Sequence, residues 1–395
     1  MKGERKVATS QKNKVLFVAG MYPTPKYPQK GIFCHEQVKA LIQLGVDVTV
    51  AVPVTVYDRE IKQDEWQFDG VRIKYIRYFK IPGTLDFHRA GHALYRSLNK
   101  TFDFSSYDII HADAALPTGQ AAMIASKKYG IPYVVHGHGL DVYLDVSYRN
   151  KTNCRLIVDA SKEVYENSSA VIGVSRKVIN NVINGVDVRD KAFVAYNGVD
   201  TDRFYPIPHE NEKLVVSVIG NLIPLKGHRY LLDAVNKYQK AFPDEMIINI
   251  IGRGPLEEEL MTKSEELGLS SIVRFMGYIA YHKVAAELQY SDIFVLPSYY
   301  EALGCVYLEA MACGIPAVGC WNNGIDEIIE NGKDGFLVDE KNSDQIYEDL
   351  VLLRDRAKRE QIGGNARKKA ERYTWLDSAK AVEEVYNRVL FDSKR

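Results

Sequence analysis

Two tandem doubly wound α/β domains are what this sequence predicts, and three observations predict them. Its 395 residues suffice for two domains at roughly 150 residues each. Short apolar runs alternate with amphipathic stretches, the rhythm of strand–helix–strand units on a parallel sheet. That rhythm restarts after Phe204-Tyr205-Pro206, which reads as a linker.

The elements follow in order. Lys14 to Gly20 is an apolar run closed by Gly, as expected of a strand buried on both faces. The loop Met21 to Gly31 is rich in Pro and Tyr. A helix from Phe33 to Leu44 stops at Gly45, and Val46 to Val52 is the next strand. The pattern returns at Ile109–His111, Gly119–Lys128 and Tyr133–His136, then at Ala170–Val174 and Ala192–Ala195. In the second half Leu214–Gly220, Met246–Ile251, Val273–Phe275, Ile293–Leu296 and Gly335–Val338 read as strands. Helices are expected over His228–Phe242, Leu256–Leu267, Lys283–Gln289, Ser343–Arg359 and Trp375–Phe391. The division is 1–207, 208–374 and a C-terminal helix in 375–395. In paired folds of this kind the cleft between domains is the expected site.

Charge excludes some classes. Lys+Arg and Asp+Glu number 51 each, so the chain is no globally basic nucleic-acid binder. Residues 1–207 carry a net +7 and residues 208–395 a net −7, so one half is suited to an anionic partner. Five cysteines without a Cys-x-x-Cys pair imply neither a disulfide framework nor a zinc knuckle. Met1 to Lys14 is polar and lacks an apolar leader segment, and Ala302 to Trp321 is too broken to span a bilayer. A cytoplasmic protein is expected, at most touching the inner face of a membrane.

The sharpest motif is Glu301-Ala-Leu-Gly-Cys-Val-Tyr-Leu-Glu309, followed by Ala-Met-Ala-Cys-Gly-Ile-Pro316. A helix starting near Leu303 or Gly304 presents free N–H groups suited to phosphate, with Gly304 and Cys305 at its tip. Glu309 inside the helix suits a ribose diol, and Glu301 before it reaches beyond the phosphates. The pair reads as a clamp on a sugar nucleotide; the plain alternative is a strand-to-helix turn with surface glutamates.

Here the sequence resembles the retaining glycosyltransferases of family 4, with the GT-B fold of two Rossmann-like domains. Their E-x7-E motif matches Glu301 and Glu309, and the resemblance spans nearly the whole chain. In Gly220-Asn-Leu-Ile-Pro-Leu-Lys-Gly227 it implies a donor-diphosphate role for Lys226, while Asn221 stands where the family usually has Arg. In His138-Gly-Leu-Asp141 it implies a His near the reacting sugar and an Asp that shapes the site. Gln29-Lys-Gly31 matches the Gly-rich loop near phosphates and acceptor, although Gly31 also reads as a Gly that simply opens a helix. Arg253, in Gly252-Arg-Gly-Pro255, is placed for base, phosphate or solvent.

The resemblance implies a metal-independent, retaining hexosyltransferase acting from a nucleoside-diphosphate sugar on a saccharide or lipid-linked acceptor. It implies no cofactor. With Tyr27-Pro-Gln-Lys-Gly-Ile-Phe33, the chain looks most like bacterial exopolysaccharide and teichuronic acid enzymes. A sugar-nucleotide epimerase and a non-catalytic sugar-nucleotide binder are the alternatives. Residues 71–102 hold seven Lys/Arg against Asp86 alone, interleaved with aromatics. They suit a membrane interface or a lipid diphosphate, and equally a solvated strand and helix face; no RNA-binding motif accompanies them. His136 with His138, and Asp200 with Asp202, are the two pairs with metal-ligand spacing. The histidine pair has no third ligand candidate at good spacing, and the aspartate pair sits in the linker after the Asn197-Gly198 turn signal and reads as structural.

Overall fold

The computed structural model describes residues 13–83, 86–142, 154–393 and 395. The polar stretch at the start of the sequence lies, through residue 12, outside the described residues. The chain forms two compact units. The first takes the residues up to Ile172, Asn181–Phe193 and Ala379–Arg395; the second takes Gly173–Asn180 and Val194–Ser378.

The first unit is built on strands β1 (Lys14–Val18), β2 (Asp47–Thr55), β3 (Glu65–Phe68), β4 (Val71–Tyr78), β5 (Ile109–Ala112), β6 (Tyr133–Gly137), β7 (Ala170–Gly173) and β8 (Ala192–Val194). Their order is β3-β4-β2-β1-β5-β6-β7-β8. β1 runs parallel to both β2 and β5, with Leu16 beside Thr49 on one side and Ile110 on the other. Val15, Leu16 and Phe17 are fully buried, as a central strand covered on both faces requires. β3 and β4 form an edge hairpin, Phe68 opposite Val71, turned by Asp69-Gly70 with φ of 49° and 83°. Positive φ at both turn residues matches the twist of the strands they join.

The second unit carries β9 (Leu214–Ile219), β10 (Met246–Ile251), β11 (Val273–Gly277), β12 (Ile293–Val295), β13 (Ala317–Cys320) and β14 (Phe336–Val338). Their order is β11-β10-β9-β12-β13-β14, parallel throughout. Strand order reverses between β9 and β12, and in the first unit between β1 and β5. In open parallel sheets, ligands bind at the carboxyl ends of the strands at such reversals.

Two expectations change. The helix expected over Ser343–Arg359 is two helices, Ser343–Leu352 and Arg356–Ala370. Asp355 starts the second by accepting the N–H groups of Ala357 (2.9 Å) and Lys358 (3.2 Å), the work of an N-cap. The segment read as a linker is packed. Phe204 is fully buried, and the Arg367 guanidinium donates to the carbonyls of both Phe204 and Ala312 at 2.8 Å. No helix among the described residues is long and apolar enough to cross a membrane.

Candidate functional site

At the second unit's reversal point, the loop after β9 and the turn after β12 bring Lys226 and Glu301 into an ion pair. Both side chains are mostly buried, so water screens the pair less than it would at the surface. Lys226 closes a short turn, Pro224–Lys226, ahead of the helix His228–Ala241.

Gly304 follows at φ 77°, and the helix Cys305–Ala312 begins directly after it. A Cβ at Gly304 would fall 2.7 Å from the Tyr307 ring and 2.9 Å from Glu301 Cγ, so no other residue fits this turn. The Tyr307 amide already closes onto Gly304 O at 3.0 Å. The amides of Cys305 and Val306 therefore lead the helix, where the positive end of its dipole lies.

Cys305 accepts a hydrogen bond from Asn197 Nδ2 at 3.4 Å. Burial raises its thiol pKa, and the carboxylates of Glu309 and Glu301 add to the rise, so it stays a neutral thiol rather than a nucleophile. Glu309, buried on the same helix, accepts the Tyr281 hydroxyl at 3.1 Å.

Asn221 and Arg253 lie exposed on adjoining loops. The Leu222 N–H donates to Arg253 O at 3.0 Å, which laces those loops together, and the Arg253 guanidinium lies beside Gly277. Thus Lys226, Glu301, Gly304 and Cys305 meet at the reversal point, Glu309 sits one helical turn on, and Asn221 and Arg253 occupy the neighbouring rim.

The first unit gathers a different set. Gly31 opens the helix Ile32–Gln43 at φ 62°, and a Cβ there would fall 2.3 Å from Met21 O. Asp113, at the end of β5, accepts the N–H groups of Gly20 (2.8 Å) and Met21 (3.1 Å) after β1. It thereby ties the two loops of that reversal point. Asp141 accepts the His138 N–H at 2.9 Å. Burial pushes Asp113 up to about 6; burial and then the Asp113 charge push Asp141 up to about 7. Burial pushes His138 down to about 3, so its ring is neutral. That ring stacks on His136 at 4.4 Å, and its Nε2 lies 3.9 Å from Cys34 Sγ. Further in, His111 Nδ1 meets Tyr386 OH at 2.6 Å.

Neither pair with metal-ligand spacing gains a third ligand: no group of three His, Cys, Asp or Glu among the described residues could hold a metal. Asp200 caps its own turn, accepting the N–H groups of Asp202 and Arg203 at 3.1 Å. The basic run 71–102 is divided. Lys74 pairs with Glu65 and Arg77 with Asp64, whereas Phe79 and Ile81 are exposed.

Sequence reasoning missed Tyr281, Asp113 and Asn323, the last of which accepts the Glu301 N–H at 2.8 Å. Only Asn323 carried a signal, the turn dipeptide Asn323-Gly324 after β13.

Comparison with known proteins places this geometry. The model of glycosyl transferases group 1 matches residues 200–369, and that of glycosyltransferase family 4 matches residues 31–203. A D-inositol 3-phosphate glycosyltransferase of Corynebacterium urealyticum is 30% identical over 306 residues, 71% of each chain. The chain belongs to the group 1, family 4 glycosyltransferases. This glycosyltransferase is also 27% identical to the putative teichuronic acid biosynthesis glycosyltransferase TuaC of Bacillus subtilis, over 86% of this chain and 88% of that one. Among solved structures, Anabaena HepE in complex with UDP and glucose shares the fold at TM-score 0.73 and 22% identity, covering 94% of this chain and 98% of that one. The two parallel-sheet α/β units are those of the GT-B fold.

Proposed function

We propose that this glycosyltransferase moves a hexose, with retention and without a metal, from a UDP- or GDP-sugar to a hydroxyl of a saccharide or lipid-linked acceptor. The setting is bacterial surface polysaccharide assembly on the cytoplasmic side of the membrane. The observation that carries the reading is the Lys226–Glu301 ion pair beside the helix start at Gly304. A diphosphate arriving there takes over the Lys226 ammonium and meets the amides of Cys305 and Val306. Charge growing on the leaving phosphate is then met by groups already in place. Glu301, released from Lys226, is left to orient the donor sugar's hydroxyls. Glu309 holds the ribose diol, and Asn221 and Arg253 lie where the remaining donor atoms pass.

On the acceptor side stand neutral His138, Asp141 and the loop closed by Gly31. No enzyme nucleophile is assigned; the leaving phosphate helps take the acceptor's proton. The UDP in the HepE structure supports a UDP-sugar, and the naming of TuaC for teichuronic acid biosynthesis supports the polysaccharide setting. A membrane-borne acceptor belongs to the same reading. Exposed Phe79 and Ile81, with Lys80 and Arg89 nearby in sequence, are the groups that would meet an anionic bilayer, and co-sedimentation with vesicles tests it.

The primary test is thermal unfolding with UDP, GDP, ADP and CMP, each with and without EDTA. A nucleotide at about 100 times its dissociation constant adds roughly 2.7 kcal/mol, which raises the unfolding temperature visibly. The expected result is a shift with one diphosphate, unchanged by EDTA. No shift with any of the four removes the donor-clamp assignment. A shift abolished by EDTA and restored by Mn²⁺ removes metal independence.

A further inference from the structure

We propose that Asn323 is the positioning residue of Glu301. The inference rests on the transfer reading above. Glu301 lies on a tight turn between β12 and the helix at Gly304, and the direction of its carboxylate depends on the peptide that carries it. Both backbone polar groups of Glu301 are held by two consecutive residues from the loop after β13. Asn323 Oδ1 accepts the Glu301 N–H at 2.8 Å, and the Gly324 N–H donates to Glu301 O at 3.2 Å.

Asn323 is 1% exposed, and its amide is fully used. Nδ2 donates to Ser298 O at 2.7 Å and, at 3.4 Å, to Trp321 O. Oδ1 also accepts the Lys177 ammonium at 3.0 Å. One buried side chain therefore spans the turn from Ser298 to Glu301 and fixes both its ends. The next peptide is held as well, since Ser175 Oγ donates to Ala302 O at 2.6 Å. A buried amide with every donor and acceptor partnered gives a single geometry, and removing it leaves the Glu301 N–H and Ser298 O without partners.

No other uncharged side chain of this size and shape offers both an acceptor and a donor here. Asp keeps the two acceptor bonds and loses the bonds to Ser298 O and Trp321 O. Ala loses all of them. Asn323 touches no reacting atom on this account and acts only through Glu301.

The experiment measures donor hydrolysis and transfer with UDP-glucose and GDP-glucose, and UDP affinity by titration. The variants are Asn323→Ala, Asn323→Asp and Glu301→Gln, with each Asn323 change also made in the Glu301→Gln background. Asn323→Ala is expected to lower kcat about tenfold or more while changing UDP affinity by less than about twofold. Asn323→Asp falls between wild type and Asn323→Ala, and as a near-isosteric change it serves if Asn323→Ala does not fold. In the Glu301→Gln background the Asn323 changes add less than about twofold, because the group they position is already lost. Equal factors in both backgrounds, or an unchanged kcat in Asn323→Ala, overturn the assignment. A wild type that turns over neither donor and binds neither UDP nor GDP overturns the transfer reading itself, and is told apart because it appears before any variant is made.

Discussion

The two reversal points use opposite electrostatics. In the second unit, Lys226 and Glu301 are charged partners beside a helix N-terminus. In the first, Asp113, Asp141 and His138 are pushed by burial toward their uncharged forms. A charged pair next to a positive helix end suits a ligand that brings its own negative charge, because that ligand replaces one ionic contact with another. Desolvated groups shifted toward their uncharged forms suit a hydroxyl, which must be held and relieved of a proton with little attraction by charge. The contrast fits a diphosphate on one side and an acceptor alcohol on the other.

The strongest way to break the comparison is Glu301→Gln. If the carboxylate serves the sugar and only rests on Lys226 in the free protein, turnover falls by about a hundredfold or more. UDP affinity, in contrast, stays equal or tightens, since Lys226 no longer has to leave a carboxylate. Enzyme kinetics and a UDP titration on the same preparation check this. A parallel loss of UDP affinity would place Glu301 on the nucleotide and end the division of roles.

Glu309→Ala is expected to do the reverse. A charge-assisted hydrogen bond contributes roughly 1.5–3 kcal/mol, so nucleotide affinity drops by about tenfold or more while the rate at saturating donor changes less. Unchanged UDP affinity removes the ribose assignment. Tyr281→Phe sharpens the same point: its hydroxyl holds the Glu309 carboxylate at 3.1 Å. Losing it weakens UDP binding by a smaller factor than Glu309→Ala does.

How much of this was legible beforehand depended on the range of the interaction. β1, β9 and β12 are apolar runs because both faces are covered, so they stand out in sequence. Glu301, Gly304 and Glu309 were legible because one helix start ties them within nine residues. The β3–β4 hairpin was not read, although Asp69-Gly70 marks its turn. Arg72, Lys74 and Arg77 along β4 gave that stretch the look of a charged surface run. The break at Leu353–Asp355 was hidden because helical spacing continues across it and only the Asp355 cap divides it. Asn323 was out of reach for another reason. Its partner lies 22 residues earlier in the chain, and the pairing of two loops exists only once β12 and β13 are side by side.

The smallest effect, and the one that most directly tests the desolvated side of the comparison, is the pH dependence of stability in Asp141→Asn. The folded protein holds the Asp141 carboxyl at about 7, against an ordinary 3.8. A carboxyl raised on folding contributes stability that is complete below about pH 4 and is lost as the pH rises through about 7. Asn can still accept the His138 N–H and has no charge to bury. The unfolding temperature of Asp141→Asn relative to wild type should therefore climb between pH 5 and pH 8, by a few degrees at about 2–4 °C per kcal/mol. Asp113 titrates in the same window and is present in both proteins, so comparing them isolates Asp141 together with its coupling to that neighbour. A difference that stays flat with pH would mean that Asp141 is ionised throughout this range, and the first unit's reversal point would then be a charged site like the second's.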